Sequence, residues 1–149
     1  MTVEEAIQTN SFESPAHKAA INIMYVAYRV KTFVSGQLKG FGLTPEQYNV
    51  LRILNGKHPA AMCVKDIGSR MIERSSNVPR IIDRLEQKQW VVRQQSGADR
   101  RETIVQLTPA ALQLLQTIKP TMDDAHRQMS QMSPQDLVLL NSLLDNYLM

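Results

Sequence analysis

With 149 residues, 43% hydrophobic content and a single cysteine, Cys63, the chain is long enough for one domain with its own core and cannot form an internal disulfide. No run reaches the ~18 apolar residues of a membrane-spanning helix, and the opening MTVEEAIQTN is acidic and polar where a secretory leader is basic then apolar, so a cytoplasmic protein without a membrane partner is expected. The net charge of +3 is unevenly spread: residues 65–101 hold nine Lys/Arg against five Asp/Glu, a pattern that suits a polyanion-binding surface and equally a solvated face.

In chain order, the first helix is predicted from Pro15 to about Leu38, where Ala20, Ile23, Met24, Ala27, Val30, Phe33 and Val34 recur at helical spacing until Gly40 and Gly42. LTPEQYNVLRIL opens the second, with Thr44 as N-cap, Pro45 at the first helical position and Gln47 completing a capping box. After the loop NGKHPAAM, a short helix is marked by Val64, Ile67, Gly68 and Met71. SRMIERSSN then leads tightly into VPRIIDRLEQKQ, where Ile81, Ile82 and Leu85 face the core and Arg80, Arg84 and Lys88 line an exposed stripe. If Ser75 or Ser76 caps this helix, Pro79 falls in its first turn, where a missing N–H costs little.

WVVRQQ and RETIVQL alternate as strands, with Thr103, Val105 and Leu107 on one side and Ser96 to Arg100 as the hairpin connection. Thr108 and Pro109 begin a helix carrying Leu112, Leu115, Ile118, Met122, Ala125, Met129 and Met132, in which Pro120 should produce a kink. Ser133 and Pro134 begin the last, with Leu137, Leu140, Leu144 and Leu148 on one face. Leu137, Val138, Leu139 and Leu140 are consecutive, which exceeds the apolar surface that one small core covers. A helical partner in a homodimer, or a tight intrachain helix pair, would bury the excess.

His17, His58 and His126 lack metal-ligand spacing, and no phosphate loop or nucleophile elbow is present, so no metal, no cofactor and no enzymatic activity are expected. Short helix, turn, basic helix and hairpin together describe a winged helix-turn-helix, whose second helix suits the major groove of double-stranded DNA. The hairpin tip reaches the neighbouring minor groove, where a weakly hydrated guanidinium is favoured. Arg101 is the candidate for insertion, Asp99 for orienting it through charge-assisted hydrogen bonds, and Arg100 for phosphate or solvent. An ordinary solvated turn is the competing reading.

The stretch from Leu43 to Leu115 resembles the MarR family of bacterial transcription regulators. Asp99, Arg100, Arg101, Val105, Leu107 and Thr108 stand in that family's wing pattern, Arg93 is at its place on the incoming strand, and RIIDRLEQKQWVVR is similar to its recognition-helix exit. The resemblance implies a mainly α fold with a small β-hairpin wing: a winged helix-turn-helix over about 43–108, flanked by dimerisation helices at about 15–40 and 109–149, in one domain. Gln89 and Ala111 replace family glycines, so those turns are expected to differ slightly. Pro79 stands where the family often points Ser or Thr at the groove, so base contacts pass to its neighbours. Asn77 suits adenine and Arg80 or Arg84 guanine, while Arg74, Ser75 and Ser76 suit phosphates.

A homodimeric repressor on a pseudo-palindromic operator is thus expected, each protomer placing Ser75 to about Lys88 in a major groove. The resemblance also admits release by a small aromatic or phenolic ligand near Tyr25, Tyr28, Arg29, Tyr48 and Arg52, which packing explains equally well. Two alternatives remain: a winged-helix protein-interaction module that never contacts DNA, and a thiol-based redox sensor. The latter rests on Cys63 at the head of the motif's first helix, where a helix N-terminus can lower a thiol's pKa; an inert small residue is the competing reading.

Overall fold

Each long helix except the basic one begins at a hydroxyl followed by proline, and the computed structural model, described here for residues 1–147, shows why. Ser14, Thr44 and Thr108 each turn an extended residue's side-chain oxygen onto a backbone N–H three residues on, and the proline supplies a preset φ where no intrahelical N–H is needed. The helices so started are α2 (Pro15–Lys39), α3 (Pro45–Asn55) and α6 (Pro109–Met129). Ser133 accepts the Asp136 N–H at 3.2 Å and starts α7 (Pro134–Tyr147) in the same way. Gln47 returns its own oxygen to the Thr44 N–H at 3.2 Å, completing the expected capping box.

Between α3 and α6 lie β1 (Met62–Cys63), α4 (Val64–Gly68), α5 (Val78–Gln87), β2 (Val91–Gln95) and β3 (Thr103–Leu107). The strands form an antiparallel sheet in the order β1-β3-β2, with Met62 opposite Val105 and Arg93 also opposite Val105 from the other side. The wing is therefore three-stranded, not the two-stranded hairpin expected, because the end of the NGKHPAAM loop pairs with β3. The short helix stops at Gly68, so Met71 lies beyond it, although Met71 is buried as expected. A short α1 (Val3–Ile7), closed by a Thr2–Glu5 capping box and tied to α2 through a Glu4–Lys18 ion pair, was not foreseen.

One core serves all of this: Leu38 from α2, Val50, Leu51 and Leu54 from α3, Ile67 from α4, Ile82 and Leu85 from α5, Val91 and Val105 from the sheet and Ile118 from α6 are essentially inaccessible. Thr103, Val105 and Leu107 share a face as the alternation required. Ala111, at an expected glycine position, is fully buried on the first turn of α6. Gln89 holds the left-handed φ of 62° that a glycine would adopt without strain, and Trp90 N–H closes α5 on the Leu85 carbonyl at 2.9 Å. The turn is kept with a strained residue in it. α6 runs unbroken through Pro120.

The last helix is different. No residue of α7 through Tyr147 is buried, so the intrachain helix pair considered above does not form; Leu148 of the expected face lies outside the described residues.

Candidate nucleic-acid interface

The basic helix α5 starts one residue later than a Ser76 cap would place it and two later than a Ser75 cap would. Asn77, not Ser75 or Ser76, is its N-cap, accepting the Arg80 N–H at 3.2 Å, and Pro79 still falls in the first turn. Burial of Val78, Ile82 and Leu85 sets the helix phase, which leaves Arg80 and Arg84 exposed one turn apart. The cap has a chemical consequence for Asn77: its oxygen is already engaged, so a paired contact with adenine requires sharing or opening the cap.

Ser75, Ser76, Asn77, Arg80 and Arg84 line one groove of about 320 Å³ together with Thr44 and Gln47 from the head of α3. The Ser76 hydroxyl is buried there without a hydrogen-bond partner, the single such side-chain group among the described residues. Arg74 and Ser75 are exposed beside it. Lys88 does not continue the stripe. Its ammonium is drawn to the Gly42 carbonyl and to the Gln47 side chain at 3.3 Å, tying the end of α5 to the head of α3.

At the wing tip, Ser96 N–H bonds the Glu102 carbonyl at 2.8 Å and Glu102 N–H the Asp99 carbonyl at 3.0 Å, which closes the connection between β2 and β3. The Asp99 carboxylate accepts the backbone N–H of Arg101 at 2.9 Å, so it shapes the turn and does not grip the Arg101 guanidinium as expected. Arg100 and Arg101 are both exposed. None of Arg74, Arg80, Arg84, Arg100 and Arg101 pairs with a carboxylate among the described residues, which leaves five guanidinium groups on α5, its lead-in and the wing tip available to an external anion.

Arg93 is the exception among the basic candidates. Its Nη1 lies 2.5 Å from Asp83 and its Nη2 2.9 Å from Glu86, while its Nε and backbone N–H both reach Glu86 at 3.2 Å. The guanidinium is committed to partners of its own chain while staying 34% exposed. Hydrogen bonding by Arg93 holds the Glu86 carboxyl below its ordinary pKa, and Glu86 and Asp83 raise that of Arg93.

Cys63 caps α4 as placed, accepting the Asp66 N–H at 3.4 Å. That N–H favours the thiolate, but partial burial and the Glu102 and Asp66 carboxylates outweigh it and push the thiol above its ordinary value. The direction is opposite to the lowering that a redox sensor needs.

Two features left no local signal in the sequence. Lys31 of α2 reaches Glu46 at the start of α3 and Glu73 just ahead of α5, each at 2.7 Å, and holds Glu46 below its ordinary value. Among α2, α3 and α6 lies a cavity of about 650 Å³, lined by Val30, Val34, Met71, Met122 and Met129 together with Lys31, Arg52 and His126. Tyr48 and Arg52 line it, as an aromatic-ligand site would require, whereas Tyr25, Tyr28 and Arg29 do not. Arg29 instead bonds the Tyr25 hydroxyl at 3.1 Å.

A match to the MarR family covers residues 43–103, the stretch that contains α3 through the start of β3. The HTH-type transcriptional regulator MhqR of Bacillus subtilis is 32% identical over 63% of this chain, and the match spans 64% of that relative, just under two thirds of its length. The uncharacterized HTH-type transcriptional regulator YkoM of the same organism is also 32% identical, over 74% of this chain and 73% of its own length. The fold is shared with an E. coli MarR variant crystallised with operator DNA, at a TM-score of 0.78 and 21% identity over 85% of this chain and 91% of that one. With a winged helix-turn-helix between long terminal helices and relatives of this extent, the chain belongs to the MarR family of DNA-binding transcriptional regulators.

Proposed function

We propose that the protein is a homodimeric repressor that lies across a pseudo-palindromic operator, each protomer setting α5 in a major groove and the β2–β3 tip in the adjacent minor groove. The observation that carries this reading is the set of five arginines on α5, its lead-in and the wing that pair with no carboxylate among the described residues. In this reading Arg80 and Arg84 read bases, Asn77 assists where its cap allows, and Arg74, Ser75, the orphan Ser76 hydroxyl and Arg100 hold phosphates. Arg101 enters the minor groove on a turn that Asp99 fixes. The apolar α7, bare in the single chain, supports pairing with a second copy. A dimer across promoter DNA blocks polymerase without further surfaces, and for that reason repression is the outcome proposed.

The cavity supports a second step, release by a small aromatic or phenolic molecule. It adjoins both α2 and the Lys31–Glu73 tie to the lead-in of α5, so a bound ligand that favours one spacing of the two reading heads would shift DNA affinity. Domain boundaries follow the same reading: residues at about 43–108 read DNA, and the segments at about 15–40 and 109–149 serve dimerisation.

Fragments of the host genome selected on the protein give the operator, and affinity for one such fragment should fall steeply with salt. Arg101→Ala should weaken binding about tenfold, the loss of about one good contact, while Lys18→Ala should leave it unchanged. Equal effects of the two substitutions would overturn the wing assignment.

A further inference from the structure

Two acids sit on the helix proposed to read DNA. At about 3.6 residues per turn, Asp83 and Glu86 lie beside the Arg80–Arg84 stripe, and their contacts show on which side: both reach β2, so they occupy the flank of α5 that faces the wing. If α5 fills a major groove and the wing tip an adjacent minor groove, the sugar-phosphate strand between those grooves passes along this flank. Two bare carboxylates there would repel it. Arg93 answers both with one fork, and its backbone N–H adds a further bond to Glu86. The same four hydrogen bonds join the middle of β2 to the last two turns of α5.

Resting on the proposed DNA-binding reading, we infer that Arg93 is a positioning residue that neutralises the recognition helix's own carboxylates, Asp83 and Glu86, and clamps the wing to that helix, without itself touching DNA. Its role differs from that of Arg100 and Arg101, which pair with no carboxylate among the described residues and lie at the tip. It also explains why an acidic pair is tolerated on a DNA-facing helix: the pair is spent on a cation supplied from the neighbouring strand. Among the described residues Asp83 and Glu86 pair with no cation other than Arg93, and Arg84 on the same helix stays unpaired.

The test is a cycle in the full-length protein, using a labelled duplex recovered from the host genome on the wild-type protein. Arg93→Met, which keeps the aliphatic stem, should weaken binding tenfold or more at low salt. The decisive comparison is Asp83→Asn/Glu86→Gln with and without Arg93→Met. With the acids neutralised, loss of Arg93 should change affinity less than threefold and leave the slope of log affinity against log salt unaltered. If the triple variant binds tenfold more weakly than the double variant, or its salt slope falls by about one phosphate's worth, Arg93 touches DNA and the inference is overturned. It is also overturned if Arg93→Met binds as tightly as wild type. Should Arg93→Met fail to fold, the triple and double variants decide alone. A wild-type protein that retains no duplex would instead overturn the DNA-binding reading itself.

Discussion

In α5 the apolar residues Val78, Ile82 and Leu85 are 5%, 0% and 0% exposed, whereas in α7 Val138, Leu139 and Leu143 are 71%, 57% and 58% exposed. Both helices start from a side-chain cap and a proline in the first turn. They differ in what they face: α5 lies against α3, α4 and β2, and α7 leaves its apolar surface open. A helix can be fully specified locally and still lack a reason to be where it is, because packing of an apolar face, not propensity, supplies most helical stability in proteins. The winged helix-turn-helix completes its own core; α7 leaves its apolar face uncovered in the single chain.

The most disruptive way to break this contrast is to remove the apolar surface of α7. Leu139→Glu with Leu143→Glu should halve the mass measured by sedimentation equilibrium and lower operator affinity more than tenfold, since the two half-sites would then be bound independently. An unchanged mass would mean that α7 is not at the subunit interface. Truncation inside the self-contained region sharpens the other side. Ile82→Ala should cost about 2–4 kcal/mol in denaturant unfolding, while Leu139→Ala, measured on protein dilute enough to be monomeric, should cost less than about 0.5 kcal/mol. Similar costs for both would erase the distinction.

A smaller effect tests the exit of α5. Gln89 sits at φ 62°, so Gln89→Gly should raise stability by about 1 kcal/mol. A decrease would show that the Gln89 side chain contributes more than its backbone strain costs.

The smallest effect concerns the tie between α2 and the α5 lead-in. Glu46 has a folded pKa below its unfolded value, so its ion pair stabilises the protein above the ordinary carboxylate range and is lost as pH falls through the depressed value. Lys31 is shifted upward by the same partners, so the tie persists into alkaline solution and is lost only as pH rises through its raised value. Lys31→Met should flatten the acid limb of the stability profile by less than about 1 kcal/mol, the range of exposed pairs. An unaltered profile would show that the pair contributes nothing.

Much of the reading head was legible because its signals are local. Thr44 with Gln47, Thr108 with Pro109, and the alternation of Thr103, Val105 and Leu107 are each decided within a few residues. The start of α5 was not, since Ser75, Ser76 and Asn77 are all competent caps and only the burial of Val78 and Ile82 selects among them. Strand β1 was missed for a similar reason: two residues carry no periodicity, and Met62–Cys63 is a strand only because β3 lies beside it.

The same division holds for the site. Composition, capping and periodicity determined by themselves that the chain forms a basic helix and a hairpin tipped with Arg100 and Arg101, because each depends on neighbours in sequence. Only the tertiary structure decided which cations remain available. Arg93 is paired with acids seven and ten residues away, Lys88 with groups more than forty away, and Lys31 joins α2 to α3 and to the lead-in of α5. Sequence spacing can place a charge on a face, but whether that charge meets a partner or an external anion depends on the elements the fold brings against it.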